Sequence, residues 1–236
     1  MIPDENGWEP SPAHLLFLGL TSQDLLDCAS KVRPLGMTSA QFKDFLLSLS
    51  QALARDGIQQ CDIRLQGSSA HFYSGSHKKM PWDRGQVSIL FRSTRKRVPE
   101  NPELDEIEKR RDRVWPSSEQ RPIRRPFDSM YHVGIDRYPS DYDVQISSDQ
   151  IRDMASDLLE SLGIAVTEEM LFSQDYDFIM KDLVDEICPI LTRWAAIASD
   201  KLQRGVSIAV FPSCGPPIKD GVVSAHFRET DWKVSI

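Results

Sequence analysis

Two aspartates separated by one residue have the residue types and spacing of a metal site. Asp141 and Asp143 flank Tyr142 at the start of a segment over 141–146 that alternates polar and apolar residues. Such alternation predicts a strand, in which side chains two residues apart point to the same face. Two carboxylates on one face repel each other unless a cation lies between them, and hard divalent cations prefer oxygen ligands. The pair therefore predicts a divalent cation at this strand.

A third carboxylate completes the predicted site. Asp231 precedes Trp232 in a last predicted strand around 224–235. Three carboxylates on neighbouring strands form a cage for two ions roughly 3.5–4 Å apart, which clamps the attacking and leaving oxygens of an in-line phosphoryl displacement. Glu229 shares the predicted strand face with Asp231 by alternation, so Glu229 is the alternative third acid.

A Gly-Ser step follows an earlier predicted strand over 61–66. Gly67 allows the backbone to approach a phosphate closely, because glycine has no side chain and adopts unusual backbone angles. Ser68, Ser69 and the amides of the turn that they begin are donors for phosphate oxygens. The turn Gly67-Ser68-Ser69 is therefore the predicted nucleotide-binding element.

These motifs resemble the signature of the polymerase-β-like nucleotidyltransferase superfamily, in which a strand ends in Gly-Ser, a second strand carries D-x-D and a third carries another acid. The matching residues are Gly67-Ser68, Asp141-Tyr142-Asp143 and Asp231. The resemblance implies that a nucleotide is transferred from a nucleoside triphosphate such as ATP to a hydroxyl group. It also implies two Mg²⁺ ions. The acceptor is left open among RNA, a protein side chain, a second nucleotide and a small molecule.

The resemblance also assigns roles to the residues of the predicted site. By it, Asp141 and Asp143 hold the metal ions, and Asp231 helps to bind the catalytic metal and activates the acceptor hydroxyl. Gly67-Ser68 binds the triphosphate. Two other functions stay open: a non-catalytic module of the same fold that binds a nucleotide, RNA or a partner protein, and a toxin-like or defence-associated transferase with the same site.

A second D-x-D motif has a structural explanation. Asp175-Tyr176-Asp177 precedes a helical pattern. We therefore expect it to cap that helix, where a carboxylate also interacts favourably with the helix dipole.

The site requires strands held by helices. Apolar spacing predicts a helix over 11–33. A second predicted helix begins with a capping box of Thr38 and Gln41 and ends at Gly57. Residues 11–57 thus form a predicted N-terminal helical segment. An insertion over approximately 74–139 follows the Gly-Ser step.

The insertion is rich in basic residues, especially over 92–125. Acidic residues are interleaved with them, and residues 102–114 are predicted to form an exposed charged helix. Two interpretations stay open for the basic residues: they bind the nucleic-acid backbone beside aromatic groups, or they form a salt-bridged surface. They are Arg92, Arg95, Lys96, Arg97, Lys109, Arg110, Arg111, Arg113, Arg121, Arg124 and Arg125.

The second half of the chain alternates helices and strands. A helix capped by Ser147 and Gln150 is predicted after the D-x-D strand, and a longer helical pattern over 178–204 contains Pro189, which predicts a kink or a break. A strand over 206–211 follows. We therefore predict one α/β or α+β domain over 1–236, with a nucleotidyltransferase-like mixed sheet flanked by helices.

Composition sets limits on the class of protein. Of 236 residues, 40% are hydrophobic and 27% are charged. These fractions are typical of a globular protein and exclude a disordered or collagen-like chain. The net charge is −7, which gives no general attraction for nucleic acids. The four cysteines are far apart and predict separate reduced thiols. Without a long apolar run or a signal-peptide pattern, we expect a cytoplasmic protein with no membrane contact.

Overall fold

The computed structural model describes residues 3–215 and 231–235. Within them, the helices are α1 Pro12–Phe17, α2 Ser22–Ala29, α3 Ser39–Arg55, α4 Ser68–His71, α5 Arg84–Arg95, α6 Asn101–Val114, α7 Ser129–Val133, α8 Asp149–Ser161, α9 Glu168–Leu171, α10 Lys181–Ile187 and α11 Pro189–Leu202, with a short 3₁₀ turn at Ser118–Gln120. The strands are β1 Asp62–Gln66, β2 Tyr142–Ser147, β3 Val206–Phe211 and β4 Trp232–Val234.

The described strands form one mixed sheet in the order β3-β2-β1-β4. Strand β1 runs antiparallel to both of its neighbours, β2 and β4, and β2 runs parallel to β3. Helices flank this sheet, which confirms the predicted fold class of a mixed sheet with flanking helices.

The chain divides into two compact units. A helical unit comprises Met1–Gly36 and Gly67–Ser140, and a sheet unit comprises Met37–Gln66 and Asp141–Ile236. The insertion over 74–139 belongs to the helical unit and contains α5, α6 and α7.

Strands β1, β2 and β4 separate polar from apolar side chains. Ile63 and Leu65 of β1 lie opposite Ile146 and Val144 of β2, and all four are buried. Side chains alternate along a strand, so one face of the sheet is apolar and the other is polar. The apolar face consists of Ile63, Leu65, Tyr142, Val144, Ile146, Trp232 and Val234.

Aromatic side chains of α3 and α11 cover the apolar face. The ring of Phe42 packs edge-on against Trp232, with 5.5 Å between their centroids. Phe45 contacts both Tyr142 on β2 and Trp194 on α11, at centroid distances of 6.3 and 4.9 Å. The amphipathic spacing of α3 therefore places its aromatic residues where they join the sheet to the second helix.

A carboxylate joins the end of α3 to the beginning of α11. Asp56 accepts hydrogen bonds from the backbone amides of Ile190 and Leu191, at 3.1 and 2.7 Å. These amides lie in the first turn of α11, where they have no partner within the helix. Asp56 thus acts as an N-terminal cap, as aspartate does at many helix starts. Asp56 directly follows α3 and lies 134 residues before Ile190 in the sequence, so this cap is a long-range contact.

Arginines stabilise the folded insertion of the helical unit. Arg95 donates hydrogen bonds to the backbone carbonyls of Gly134, Ile135 and Asp136 at 3.0–3.1 Å. Arg111 is buried and donates to the carbonyl of Pro81 at 3.1 Å. These two arginines therefore hold backbone segments together. Ion pairs of the insertion also match the interpretation of a salt-bridged surface: Arg97 with Glu103, Arg110 with Glu106, and Arg111 and Arg121 with Asp112.

The first predicted helix, over 11–33, is wrong as a single element. The chain forms α1 and α2 instead, because Gly19 has a positive φ of 67° and interrupts the helical backbone. Thr21 then begins a new capping box with Asp24. The apolar spacing on which the prediction rests does not distinguish two short helices from one long one.

The predicted cap of α8 is displaced by one residue. Ser147 is the last residue of β2, and Ser148 is the residue whose hydroxyl accepts a hydrogen bond from the amide of Ile151. Because β2 extends further than predicted, the serine that follows it takes the capping position.

Pro189 divides the predicted helix over 178–204, and this prediction is confirmed. Helix α10 ends at Ile187 and α11 begins at Pro189. Proline lacks an amide hydrogen and fits the first turn of a helix, where that hydrogen would have no partner. The predicted strand over 206–211 is confirmed as β3.

The second D-x-D motif does not cap a helix. Asp175-Tyr176-Asp177 lies in a turn between Phe172 and Ile179, which form an isolated antiparallel bridge. Asp177 has a left-handed φ of 55°, and the residue that precedes α10 is Met180. The predicted cap is therefore wrong, because the tripeptide reverses the chain before the helix begins.

None of the helices in the described part of the chain combines the length and the apolar character needed to cross a membrane.

Replacing Asp56 by alanine tests the connection between α3 and α11. We expect Asp56→Ala to lower the free energy of unfolding by about 1–2 kcal/mol, because two amides of α11 lose their acceptor. Urea denaturation measures this loss. Asp157 occupies an exposed position of α8. As the control, Asp157→Ala should change the stability by less than about 0.5 kcal/mol. Equal effects of the two substitutions would contradict the capping role.

Candidate functional site

The polar face of the sheet brings two of the predicted acids to the same side. Asp143 of β2 lies opposite Gln66 of β1, and Arg64 shares the face of Gln66 by alternation. Asp231 contacts Arg64 and therefore lies on this face as well. The described strand residues of the polar face are Asp62, Arg64, Gln66, Asp143, Gln145, Ser147, Ser207, Ala209, Phe211 and Lys233.

Asp141 lies directly before β2, and its carboxylate covers a glycine. A methyl group added at Gly205 would overlap with Oδ1 of Asp141 and lie 2.7 Å from its Cγ. Gly205 precedes Val206, and its carbonyl accepts a hydrogen bond from the amide of Tyr142 at 2.8 Å. The glycine therefore provides the space that the Asp141 carboxylate occupies, while Tyr142 points to the opposite, apolar face.

Asp231 is the most buried of the three predicted acids. Its side chain has no solvent exposure, and its Oδ2 lies 3.4 Å from Nη1 of Arg64. A buried carboxylate is costly unless it is paired and hydrogen-bonded. Arg64 supplies one such interaction from the central strand.

Arg64 belongs to a row of alternating charges across β1 and β4. Its Nε donates to Oδ1 of Asp62 at 3.0 Å, and Nζ of Lys233 donates to Oδ2 of the same carboxylate. We call Lys233, Asp62, Arg64 and Asp231 the charge ladder. Partial burial disfavours the charged form of Asp62. The hydrogen bonds from Lys233 and Arg64 outweigh this and hold the pKa of Asp62 below its usual value.

Arg64, Asp62 and Lys233 are part of the polar face that carries the site, but they were not among the residues predicted from the sequence. The alternation over 61–66 indicates that Asp62 and Arg64 share one strand face, and this signal was sufficient to place them together. Nothing in the sequence indicates that Asp231 faces Arg64, because this contact depends on β4 pairing with β1.

Two further polar side chains of β2 are buried on the same face. Gln145 and Ser147 are 4% and 1% exposed, and neither Nε2 of Gln145 nor Oγ of Ser147 has a hydrogen-bond partner among the described residues. Buried polar groups are normally paired, so this part of the face has unused hydrogen-bonding capacity next to Asp143.

The Gly-Ser step has the backbone geometry that its sequence predicts. Gly67 combines a positive φ of 77° with an extended ψ. This combination is essentially restricted to glycine. Ser68 and Ser69 follow in the one-turn helix α4 of the helical unit, and both are buried, at 8% and 2% exposure. Their role in nucleotide binding stays a prediction.

Two of the three predicted acids, Asp141 and Asp143, are compatible with a magnesium site. Asp143 and Asp231 lie on opposite sides of β1, which separates their backbones by roughly 10 Å. Among residues 3–215 and 231–235, no three His, Cys, Asp or Glu side chains form a group that could hold a metal ion. Mg²⁺ nevertheless needs only one or two carboxylates in addition to substrate phosphates and waters. Asp141 and Asp143 are the residues that would supply such donors.

The alternative third acid, Glu229, lies outside the described residues.

Comparisons of the chain with models of protein families, with curated proteins and with solved structures found no match.

A double-mutant cycle tests the contact between Arg64 and Asp231. We expect Arg64→Gln to lower the free energy of unfolding by about 1.5–3 kcal/mol, because the buried Asp231 carboxylate loses a charged donor. In the background of Asp231→Asn, the same substitution should cost at least about 1 kcal/mol less. Urea denaturation of the four proteins measures this coupling. Strictly additive effects would show that the two side chains do not interact.

The depressed pKa of Asp62 predicts a pH dependence of stability. A carboxyl group whose pKa is lower in the folded state contributes stability above its unfolded pKa of about 3.9, and loses it as the pH falls through the folded value. Asp62→Asn should therefore be less stable than the wild type at pH 6, with a difference that shrinks between pH 4 and pH 2.5. Urea unfolding at several pH values measures the difference, and a constant difference would argue against the ladder. Asp157→Asn is the matched exposed control.

Proposed function

We propose that the protein is a magnesium-dependent nucleotidyltransferase that moves a nucleotide from a nucleoside triphosphate to a hydroxyl acceptor. One observation carries this proposal: Asp143 of the D-x-D motif is the register partner of Gln66, and the Gly67-Ser68 step follows Gln66 directly in the sequence. Asp143 thus shares a sheet with the strand that leads into the Gly-Ser step, and Asp141 lies directly before its strand. The resemblance to polymerase-β-like nucleotidyltransferases requires such a shared sheet.

The proposal gives each acid a separate task. Asp141 and Asp143 are the residues that would hold Mg²⁺, which neutralises charge on a triphosphate. Asp231 takes up the proton of the acceptor hydroxyl at its carboxylate, as a general base does. Arg64 orients this carboxylate through its contact with Oδ2. Gly205 leaves room for the Asp141 carboxylate beside the beginning of β2.

A module that binds a nucleotide without catalysis is the second candidate. The pairing of the buried Asp231 carboxylate with Arg64 favours it. The two candidates differ in a measurable product, since only a transferase releases pyrophosphate.

The chain contains its own matched control for a test of the D-x-D motif. We expect the wild type to release pyrophosphate from at least one of ATP, GTP, CTP and UTP with Mg²⁺, and Asp141→Asn/Asp143→Asn to reduce the rate at least 100-fold. Asp175→Asn/Asp177→Asn alters the same tripeptide in the turn, where position 177 has a positive φ. Asparagine tolerates that backbone conformation, so this control should keep the wild-type rate. Unchanged release after the first substitution, or equal loss in both, would remove Asp141 and Asp143 from the site.

Gly205→Ala tests the position of Asp141 without changing an acid. The backbone of Gly205 does not have a positive φ, and the three atoms nearest to an added methyl group all belong to the Asp141 carboxylate. We expect the substitution to lower pyrophosphate release at least tenfold while the folded structure, measured by circular dichroism, is kept. If the wild type binds a nucleotide but releases no pyrophosphate, the protein is the non-catalytic module.

A further inference from the structure

Helices α3 and α11 enclose a groove of about 330 Å³ between their outer surfaces. Its volume lies within the range of small-molecule sites, which is about 300–1,000 Å³. The two helices run antiparallel, because Asp56 at the end of α3 meets Ile190 at the beginning of α11, and Asp44 near the beginning of α3 meets Lys201 near the end of α11. We call this cavity the α3–α11 groove.

The floor of the α3–α11 groove is apolar. Phe45, Ala52, Trp194 and Ala198 line it and are buried. The only polar atom of the Trp194 ring, Nε1, donates to the hydroxyl of Ser48 at 2.9 Å. The floor therefore presents rings and methyl groups to a ligand and offers it no indole donor.

The rim of the groove is positively charged. The charged residues that line it are Arg55, Arg193, Lys201 and Asp44, which gives a net charge of +2 in a chain whose total is −7. Lys201 is paired with Asp44 at 3.3 Å. Neither Arg55 nor Arg193 forms an ion pair with a described residue, and both are exposed. The charge that is available to a ligand is thus concentrated in two guanidinium groups.

Both arginines lie at the same end of the groove. Arg55 precedes Asp56, and Arg193 lies one turn after Ile190, whose amide Asp56 caps. The Asp56 carboxylate is directed at the amides of α11, at 3.1 and 2.7 Å, and is held there. The groove therefore has an apolar floor along its length, and its two guanidinium groups lie together at one end. Ile197, half exposed on the rim, extends the apolar surface.

We infer that the α3–α11 groove binds a small amphipathic anion, with an aromatic or aliphatic body on the floor and a carboxylate or sulfonate beside Arg55 and Arg193. An acidic head satisfies the guanidinium groups through charge-assisted hydrogen bonds. Transfer of the apolar body from water to the floor of the groove adds favourable free energy of binding. This site does not depend on the proposed transferase activity, because none of its lining residues belongs to the polar face.

Anilinonaphthalene sulfonate is a suitable probe, since it joins an aromatic body to one negative charge. We expect its fluorescence to report one binding site per chain. Arg55→Gln/Arg193→Gln should weaken binding at least tenfold, and Ile197→Gln should weaken it about threefold. Lys43→Gln removes a cation of α3 that does not line the groove, so it should leave the affinity unchanged. Circular dichroism establishes that each variant is folded.

Displacement of the probe separates recognition of charge from general apolar binding. Decanoate should displace the probe from the wild type, whereas decanol, with the same chain length and no charge, should do so at least tenfold less well. The arginine double variant should lose this preference. The inference is overturned if the wild type does not bind the probe, if the arginine and Lys43 variants bind it equally, or if decanoate and decanol compete equally.

Discussion

Arg64 is a cation on β1, an inner strand of the described sheet, and this position explains why carboxylates surround it. A guanidinium group on a half-buried surface is costly unless acceptors compensate for the lost water. Its side chain is only 17% exposed, and carboxylates on two sides provide this compensation: Asp62 from the same strand and Asp231 from the segment that leads into β4. The polar face of the sheet is thus organised around one charge.

The charge ladder also explains how so short a strand as β4 is held beside β1 in the described sheet. Three residues supply few backbone hydrogen bonds, but Trp232 and Val234 bury their side chains on the apolar face. On the other face, Lys233 and Asp231 form ion pairs with residues of β1.

Local sequence patterns predicted most of the sheet unit, and the errors have physical causes. Alternation over 61–66 marks β1 because this strand has one buried face. The β-branched and aromatic residues of 206–211 mark β3, although its last two residues are both buried. Pro189 marks the division between α10 and α11, because proline cannot continue the preceding helix. The break at Gly19 was missed, since glycine does not always interrupt a helix. The contacts that decide the candidate site are long-range, and a local pattern cannot predict them. The ion pair of Asp231 with Arg64 follows from strand order and register.

The apolar packing and the carboxylates lie on opposite faces of the sheet. The apolar face packs against α3 and α11, whose outer surfaces form the α3–α11 groove, while the carboxylates lie on the polar face. The residues that line the groove are therefore different from Asp141 and Asp143, the residues proposed to hold Mg²⁺. Phe45, which lines the groove, also packs against Tyr142, the residue between the two aspartates.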